Sequence, residues 1–100
     1  MTNFIKSVEI STALMRELFP KTPLQKNEFL SQKYSADVFL KREDLSPVRS
    51  YKIRGAFNSI KKVLSKNPGA ENFVCASAGN HAQGVALSAN KLNINTLMCL

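Results

Sequence analysis

Residues 73–100 read FVCASAGNHAQGVALSANKLNINTLMCL. The apolar run Phe73–Ala76 predicts a strand, and the tight loop Ser77–Asn80 follows it. Over His81–Leu92, small and apolar residues recur at helical spacing, and a second strand is predicted to begin at Thr96. A strand, a helix and a strand in this order form a βαβ unit with two parallel strands. The sequence therefore predicts an α/β fold.

The loop after the first predicted strand is the first candidate site. Ligands of parallel sheets collect at the carboxyl ends of the strands, which here means Ser77–His81. The backbone N–H groups at the start of the following helix suit an anion such as a carboxylate or a phosphate. Asn80 can either cap this helix or bind a ligand hydroxyl. His81 is the only histidine, and neither a Ser-His-Asp triad nor a metal site can be assembled around it.

Helical periodicity also predicts elements before residue 73. Helices are predicted at Ser7–Phe19, Asn27–Tyr34 and Ser50–Lys66, and a short strand at Val38–Leu40. Ser7 is the predicted N-cap of the first helix. The predicted buried face of the first helix comprises Ile10, Ala13, Leu14 and Leu18. The predicted buried face of the long helix before residue 67 comprises Ile53, Ala56, Phe57, Ile60 and Leu64.

Lys52 is a second candidate because of where the predicted helix places it. It lies in the first turn, whose partial positive charge favours acidic rather than basic side chains. Arg49 and Arg54 add further positive charge nearby in the sequence. These effects disfavour the ammonium form of Lys52, and an uncharged lysine amine is a nucleophile towards aldehydes. The alternative, an ordinary surface lysine, stays open on these grounds alone.

The composition is that of a folded globular chain with a surplus of positive charge. The 100 residues include 14 Lys and Arg against 7 Asp and Glu, a net charge of +7, and 44% are hydrophobic. This balance excludes disorder, and no apolar run is long enough to cross a membrane. The basic residues are scattered rather than clustered, so nucleic-acid binding is not expected. Cys75 and Cys99 lack the spacing of a metal site and predict a reducing, cytoplasmic location.

A family resemblance joins the two candidate sites. Residues 43–56 read EDLSPVRSYKIRGA, and residues 77–84 read SAGNHAQG. Together with TPL at residues 22–24 and LKRED at residues 40–44, these motifs resemble the serine/threonine dehydratases, a family of pyridoxal-phosphate (PLP) enzymes. The resemblance covers Thr22–Leu97. It implies the tryptophan-synthase-β-like (type II) PLP-dependent fold, of which this chain would be the N-terminal portion.

The resemblance implies a role for each candidate residue. Lys52 matches the lysine that binds the cofactor PLP covalently and later removes the Cα proton of the substrate. Asn80 matches the residue that hydrogen-bonds the 3′-oxygen of PLP, and Tyr51 keeps an aromatic ring beside the lysine. The loop that holds the substrate carboxylate is matched by Ser77, Gly79, Asn80 and His81. The implied reaction is β-elimination of L-threonine, or of L-serine, to a 2-oxo acid and ammonia.

The same resemblance implies how the chain is organised. Residues 1–69 match the beginning of the large PLP domain, and residues 70–100 match the first strand–helix–strand of the small domain. The family's glycine-rich loop for the PLP phosphate would lie beyond residue 100, so the chain alone is expected to bind PLP weakly and to be inactive. The full-length protein is expected to be a homo-oligomer.

Two alternatives to a threonine-specific enzyme follow from the residues. Serine racemases of the family carry a serine at the position of Ala78, which could return a proton to Cα; Ala78 has none to give and favours elimination. A non-catalytic fragment that kept the motifs is the alternative from a different class. The two long motifs are more similar to the biosynthetic members, which act in isoleucine formation, than to the degradative ones.

Overall fold

The computed structural model describes residues 3–100, and this range alternates helices with short strands. The predicted α/β class is therefore confirmed. In chain order the elements are α1 (Phe4–Arg16), β1 (Leu24–Lys26), α2 (Glu28–Tyr34), β2 (Phe39–Lys41), a 3-10 turn (Glu43–Leu45), α3 (Lys52–Lys66), β3 (Asn72–Ala76), α4 (Asn80–Leu92) and β4 (Asn95–Cys99). Each helix in residues 3–100 is too short or too polar to span a lipid bilayer.

The predicted βαβ unit is present at the C-terminal end. β3 and β4 pair in parallel, with Val74 opposite Leu97 and Cys75 opposite Met98. Helix α4 connects the two strands and packs on the sheet face that carries Cys75 and Met98. Asn93 ends α4 in the left-handed conformation (φ 52°), which asparagine tolerates better than most residues. The carboxyl end of β3 therefore leads directly into the candidate loop.

Helix α3 is the centre of the hydrophobic core. Its predicted face is confirmed, because Ile53, Ala56, Phe57 and Ile60 are buried and Leu64 is half-buried. One part of this face packs against α1 and the segment after it, and another part packs against α4 and β3. Full burial of side chains such as Phe57 and Ile53 stabilises a fold by about 1.5–3 kcal/mol each. The core thus fixes α3 between the N-terminal segment and the βαβ unit.

Helix α1 begins earlier than predicted. The expectation of an N-cap at Ser7 is wrong, because Asn3 caps the helix and its side-chain oxygen accepts a hydrogen bond from the Ile5 N–H at 2.9 Å. Asparagine caps a helix at least as well as serine, so the helix begins after Asn3, the earlier of the two capping residues. The helix ends at Arg16, three residues before the predicted end at Phe19.

The predicted buried face of α1 is only half right. Leu14 and Leu18 pack against the core, but Ile10 is 52% exposed and Ala13 is exposed. Met15 is buried in their place. The helix is rotated because its serine face also contacts α3, where the Ser11 hydroxyl donates to the Asn58 side chain at 3.1 Å. A hydrogen bond across the interface therefore competes with the apolar stripe in setting the rotation.

The N-terminal region contains a small antiparallel sheet that was only partly predicted. The predicted strand is present as β2, whereas β1 (Leu24–Lys26) was not predicted, because its residues lack apolar–polar alternation. The predicted short helix α2 is confirmed, with the Asn27 side chain accepting from the Leu30 N–H at 2.8 Å. This region places Thr22 and Glu43 next to the start of α3, which is part of the candidate site.

Candidate functional site

A buried serine turn determines where α3 begins and where Lys52 lies. The Ser46 hydroxyl donates to the Ser50 carbonyl oxygen at 2.9 Å and accepts from the Ser50 N–H at 3.2 Å. Both serines are buried, and Arg49 between them has a left-handed backbone (φ 60°). This turn reverses the chain so that Lys52 becomes the first residue of α3.

The amine of Lys52 is accessible. The side chain is exposed, and its Nζ lies 5.3 Å from the centre of the Tyr51 ring, which is itself 62% exposed. A cation–π contact at such an exposed position contributes only about 0.5–1 kcal/mol, so it does not prevent the amine from binding a ligand. Lys52 and Tyr51 together present a primary amine beside an aromatic ring.

The second candidate segment forms an open helix start. The Ser77 N–H donates to the Cys99 carbonyl oxygen at 3.0 Å, and the Ser77 hydroxyl accepts from the Gly79 N–H at 3.2 Å. Gly79 is the N-cap of α4, and no side chain within residues 3–100 caps this helix. Asn80 is its first residue, so the alternative in which Asn80 caps the helix is wrong. The exposed first turn keeps its N–H groups available to an anion.

Gly84 brings the two candidate segments together. A methyl group added at Gly84 would lie 3.1 Å from the backbone nitrogen of Ile53 and 3.1 Å from the carbonyl carbon of Lys52. The backbones of α3 and α4 therefore approach closely at this point, and a side chain at residue 84 would require one of them to shift by a few tenths of an ångström. Asn80 lies four residues before Gly84, just over one helical turn and about 6 Å along the axis of α4. The backbone of Lys52 and the open loop consequently lie near the same contact.

A network that the sequence analysis did not identify holds the first turn of α3. Arg54 forms two hydrogen bonds to the Glu43 carboxylate, from Nε to Oε2 and from Nη2 to Oε1, each 2.8 Å long. The Thr22 hydroxyl donates to Glu43 Oε1 at 2.6 Å and accepts from Arg54 Nη2 at 3.2 Å. The threonine and glutamate both fall in the quoted motifs, but eleven residues separate Glu43 from Arg54 and no local pattern pairs them.

The network corrects one part of the electrostatic argument for Lys52. The expectation that both neighbouring arginines add positive charge is wrong for Arg54, because Glu43 pairs with its guanidinium group. The Arg54 guanidinium carbon also lies 5.2 Å from the centre of the Phe19 ring. Near Lys52 in the sequence, Arg49 and the start of α3 remain as sources of positive charge.

The same network makes stability depend on pH. The Arg54 hydrogen bonds, with the Thr22 hydroxyl adding to them, lower the pKa of Glu43 from its ordinary value of 4.5 to about 2. A carboxyl whose pKa is lower in the folded state stabilises the fold above its unfolded pKa and loses this contribution as the pH falls through the folded pKa. The Glu43 contribution is therefore complete near neutral pH and is lost between about pH 4.5 and pH 2.

We expect Glu43→Gln to remove this pH dependence. Hydrogen bonds to charged groups contribute about 1.5–3 kcal/mol, so at pH 7 the variant of the full-length protein should be less stable by about this amount. Denaturant titrations at pH 7, pH 4 and pH 2.5 measure the difference, which should shrink as the pH falls. A difference of equal size at all three pH values would contradict the assignment.

Comparison with known proteins identifies relatives of this chain. Residues 15–100 match the family described as "Pyridoxal-phosphate dependent enzyme". The chain is 50% identical over 93 residues to the L-threonine dehydratase biosynthetic IlvA of Staphylococcus aureus, a match that covers 93% of this chain and 22% of that protein. The chain therefore spans less than a quarter of the length of this curated relative.

Solved structures show the same arrangement of elements. The processed form of threonine deaminase isoform 2 from Solanum lycopersicum is 32% identical with a TM-score of 0.75, over 97% of this chain and 28% of that one. Maize serine racemase is 28% identical with a TM-score of 0.81, over 94% of this chain and 29% of that one. Both likenesses include the two candidate segments, because they extend over nearly the whole chain.

Proposed function

Because this chain belongs to the family of pyridoxal-phosphate dependent enzymes, we propose that it carries the lysine-bearing part of an enzyme that deaminates L-threonine to 2-oxobutanoate and ammonia. The observation that carries the proposal is the contact at Gly84, which places the backbone of Lys52 against α4, about one helical turn from the open start of that helix. The 50% identity to a biosynthetic L-threonine dehydratase supports the choice of L-threonine, with L-serine as a smaller alternative substrate. It also supports a role in isoleucine biosynthesis.

The predicted fold is confirmed as the type II PLP-dependent fold, by the family match and by the likeness to solved threonine deaminase structures. The division into a large-domain part, residues 1–69, and a small-domain part, residues 70–100, is a proposal. The exposed segment Asn67–Gly69 between α3 and β3 supports it. The proposal further includes a homo-oligomer in the cytoplasm, and the free cysteines Cys75 and Cys99 fit a reducing compartment.

The residues present fit the cofactor. The exposed primary amine of Lys52 suits the aldehyde of the cofactor, and the uncapped first turn of α4 suits the carboxylate of an amino-acid substrate. When bound, PLP supplies the aldehyde and an electron sink for negative charge at the substrate Cα. In the proposal, Lys52 holds the cofactor covalently, and Asn80 and Tyr51 contact it.

The proposed roles during the reaction fall to the same side chains. In the proposal, the amine of Lys52 would also act as the general base that removes the Cα proton of the substrate. The substrate carboxylate is held at the start of α4 by Ser77, Gly79, Asn80 and His81. Because the N–H groups there are fixed by the helix, they need no reorganisation to bind the carboxylate. The β-hydroxyl would then leave with a proton as water, and the resulting enamine would tautomerise and be hydrolysed by water to 2-oxobutanoate and ammonia.

A product assay on the full-length protein tests the proposal. With L-threonine it should release 2-oxobutanoate and ammonia in equal amounts, measured by derivatisation of the 2-oxo acid and by an ammonia assay. L-Alanine is the matched control substrate, because it has the same Cα chemistry but no β-hydroxyl to lose. Absence of 2-oxobutanoate from a PLP-loaded sample would rule out the proposed reaction.

Racemisation of serine is the second candidate function, favoured by the likeness to maize serine racemase. Against it stands Ala78, which lies exposed in the loop before α4 and has no hydroxyl to return a proton to Cα. Chiral chromatography after incubation with L-serine separates the two functions: elimination gives a 2-oxo acid, whereas racemisation gives D-serine. A non-catalytic protein would give neither product and would leave both substrates intact.

A further inference from the structure

At the start of α3, Glu43, Arg54 and Thr22 each bond to the other two, so the network contains more than a single ion pair. Both oxygens of Glu43 are bound by Arg54, and Thr22 bonds to both partners. Thr22 is only 3% exposed, and the Glu43 side chain is 17% exposed. The Phe19 ring covers the guanidinium group of Arg54. These contacts leave Arg54 one orientation and attach α3 to the N-terminal segment.

The first turn of α3 is held from a second direction as well. Arg54 is the third residue of this turn, and Gly84 of α4 lies directly against the backbone of Lys52 and Ile53. The described contacts of the Lys52 amine include neither Gly84 nor the network, only the Tyr51 ring. The backbone of the lysine is therefore fixed while its amine stays free.

We propose that Glu43, Arg54 and Thr22 are positioning residues that set the backbone of Lys52 for the proposed reaction. The inference rests on the proposed function, since it concerns how Lys52 does its work. A misplacement of about 1 Å at a reacting group can lower the rate by about 100-fold. A network that fixes the turn without touching the amine meets that requirement. The acid that forms it lies outside the turn, so its removal leaves Lys52 and its neighbours chemically intact.

The chain contains a matched control for this network. Arg42 also binds a carboxylate with two hydrogen bonds, from Nε to Asp44 Oδ1 at 2.9 Å and from Nη2 to Asp44 Oδ2 at 2.8 Å. This pair lies exposed, and its described side-chain bonds do not reach α3. Exposed ion pairs contribute about 0–1 kcal/mol, so Asp44→Asn should change little. The two pairs share geometry and differ in their connection to Lys52.

The experiment compares Glu43→Gln, Arg54→Lys and Asp44→Asn in the PLP-loaded full-length protein. For each we would measure kcat and KM for L-threonine, corrected for the folded fraction by circular dichroism, and the extent of pyridoxyl labelling of Lys52 after borohydride reduction. Glu43→Gln and Arg54→Lys should lower kcat by about 10- to 100-fold, with KM changed less than about threefold. Both should also slow the labelling of Lys52. Asp44→Asn should match the wild type in every readout.

The outcomes separate this inference from the proposed function. If Glu43→Gln lowers the melting temperature but keeps wild-type kcat and labelling per folded molecule, the network is only structural and the inference is wrong. If the wild type itself takes no label at Lys52, the proposed function fails instead. If Glu43→Gln does not fold, Thr22→Val provides the same comparison, because it keeps the ion pair and removes only the bridging hydroxyl. The inference would then be wrong if folded Thr22→Val and Arg54→Lys proteins both kept wild-type kcat and labelling.

Discussion

Replacing Lys52 with alanine in the full-length protein is expected to abolish covalent binding of PLP and to lower threonine deamination by on the order of 10³-fold or more. The exposed amine of Lys52 is the group in the candidate site that can bond to an aldehyde and afterwards accept a proton. Its removal takes away both the covalent attachment and the general base. The variant should lose the yellow colour of the bound cofactor, and borohydride followed by peptide mapping should find no pyridoxyl group at position 52.

The control for this change is Lys66→Ala at the other end of the same helix. Lys66 is exposed in the last turn of α3, far from Gly84, so its loss should leave colour, labelling and activity as they are. Since Lys52 is exposed and its described ring contact is weak, Lys52→Ala should also unfold at nearly the wild-type temperature. A Lys52→Ala protein that keeps both colour and activity would show that Lys52 is not the lysine that binds PLP, even though the chain belongs to the family.

Local sequence patterns predicted the elements on which the site is built. The helical spacing of Ile53, Ala56 and Phe57 predicted the buried face of α3 correctly, because a helix surrounded on several sides must place apolar residues along a continuous stripe. The apolar run before Ser77 predicted β3 for a similar reason. The parallel pairing of β3 with β4 then followed from the order strand, helix, strand.

Several features that the sequence did not predict depend on residues distant in the chain. The ion pair of Glu43 with Arg54 and its bridge to Thr22 join three segments that no periodicity relates. The rotation of α1 was missed because the hydrogen bond from Ser11 to Asn58 spans 47 residues. Gly84 lies within a quoted motif, but its role is the close contact with the backbone of α3, which the motif alone does not show. Tertiary contacts of this kind override local preference, and they are what position Lys52.

Substituting Gly84 by valine should have the second largest effect, because it separates the two candidate segments. The first methyl carbon alone would lie 3.1 Å from backbone atoms of Lys52 and Ile53, where carbon contacts prefer about 3.5–4.0 Å. Backbone cannot turn aside as a side chain can, so α4 must shift away from α3. Overpacking of this kind costs about 1–3 kcal/mol, and the shift should lower kcat by about 10- to 100-fold. Denaturant unfolding and the threonine assay measure the two effects.

Gly55 provides the control position for this prediction. It lies inside α3, as Gly84 lies inside α4, but a methyl group added there would meet no atom of the described chain within 4 Å. Gly55→Ala should therefore stabilise the protein by about 0.5–1 kcal/mol, because alanine forms helices more readily than glycine. Gly84→Ala gains the same helix propensity, so any net loss of stability relative to Gly55→Ala measures the clash with the Lys52–Ile53 backbone alone. Equal gains for the two alanine variants, with unchanged activity in both, would mean that α3 and α4 can separate without cost. The close contact would then not be what holds the backbone of Lys52 near the loop.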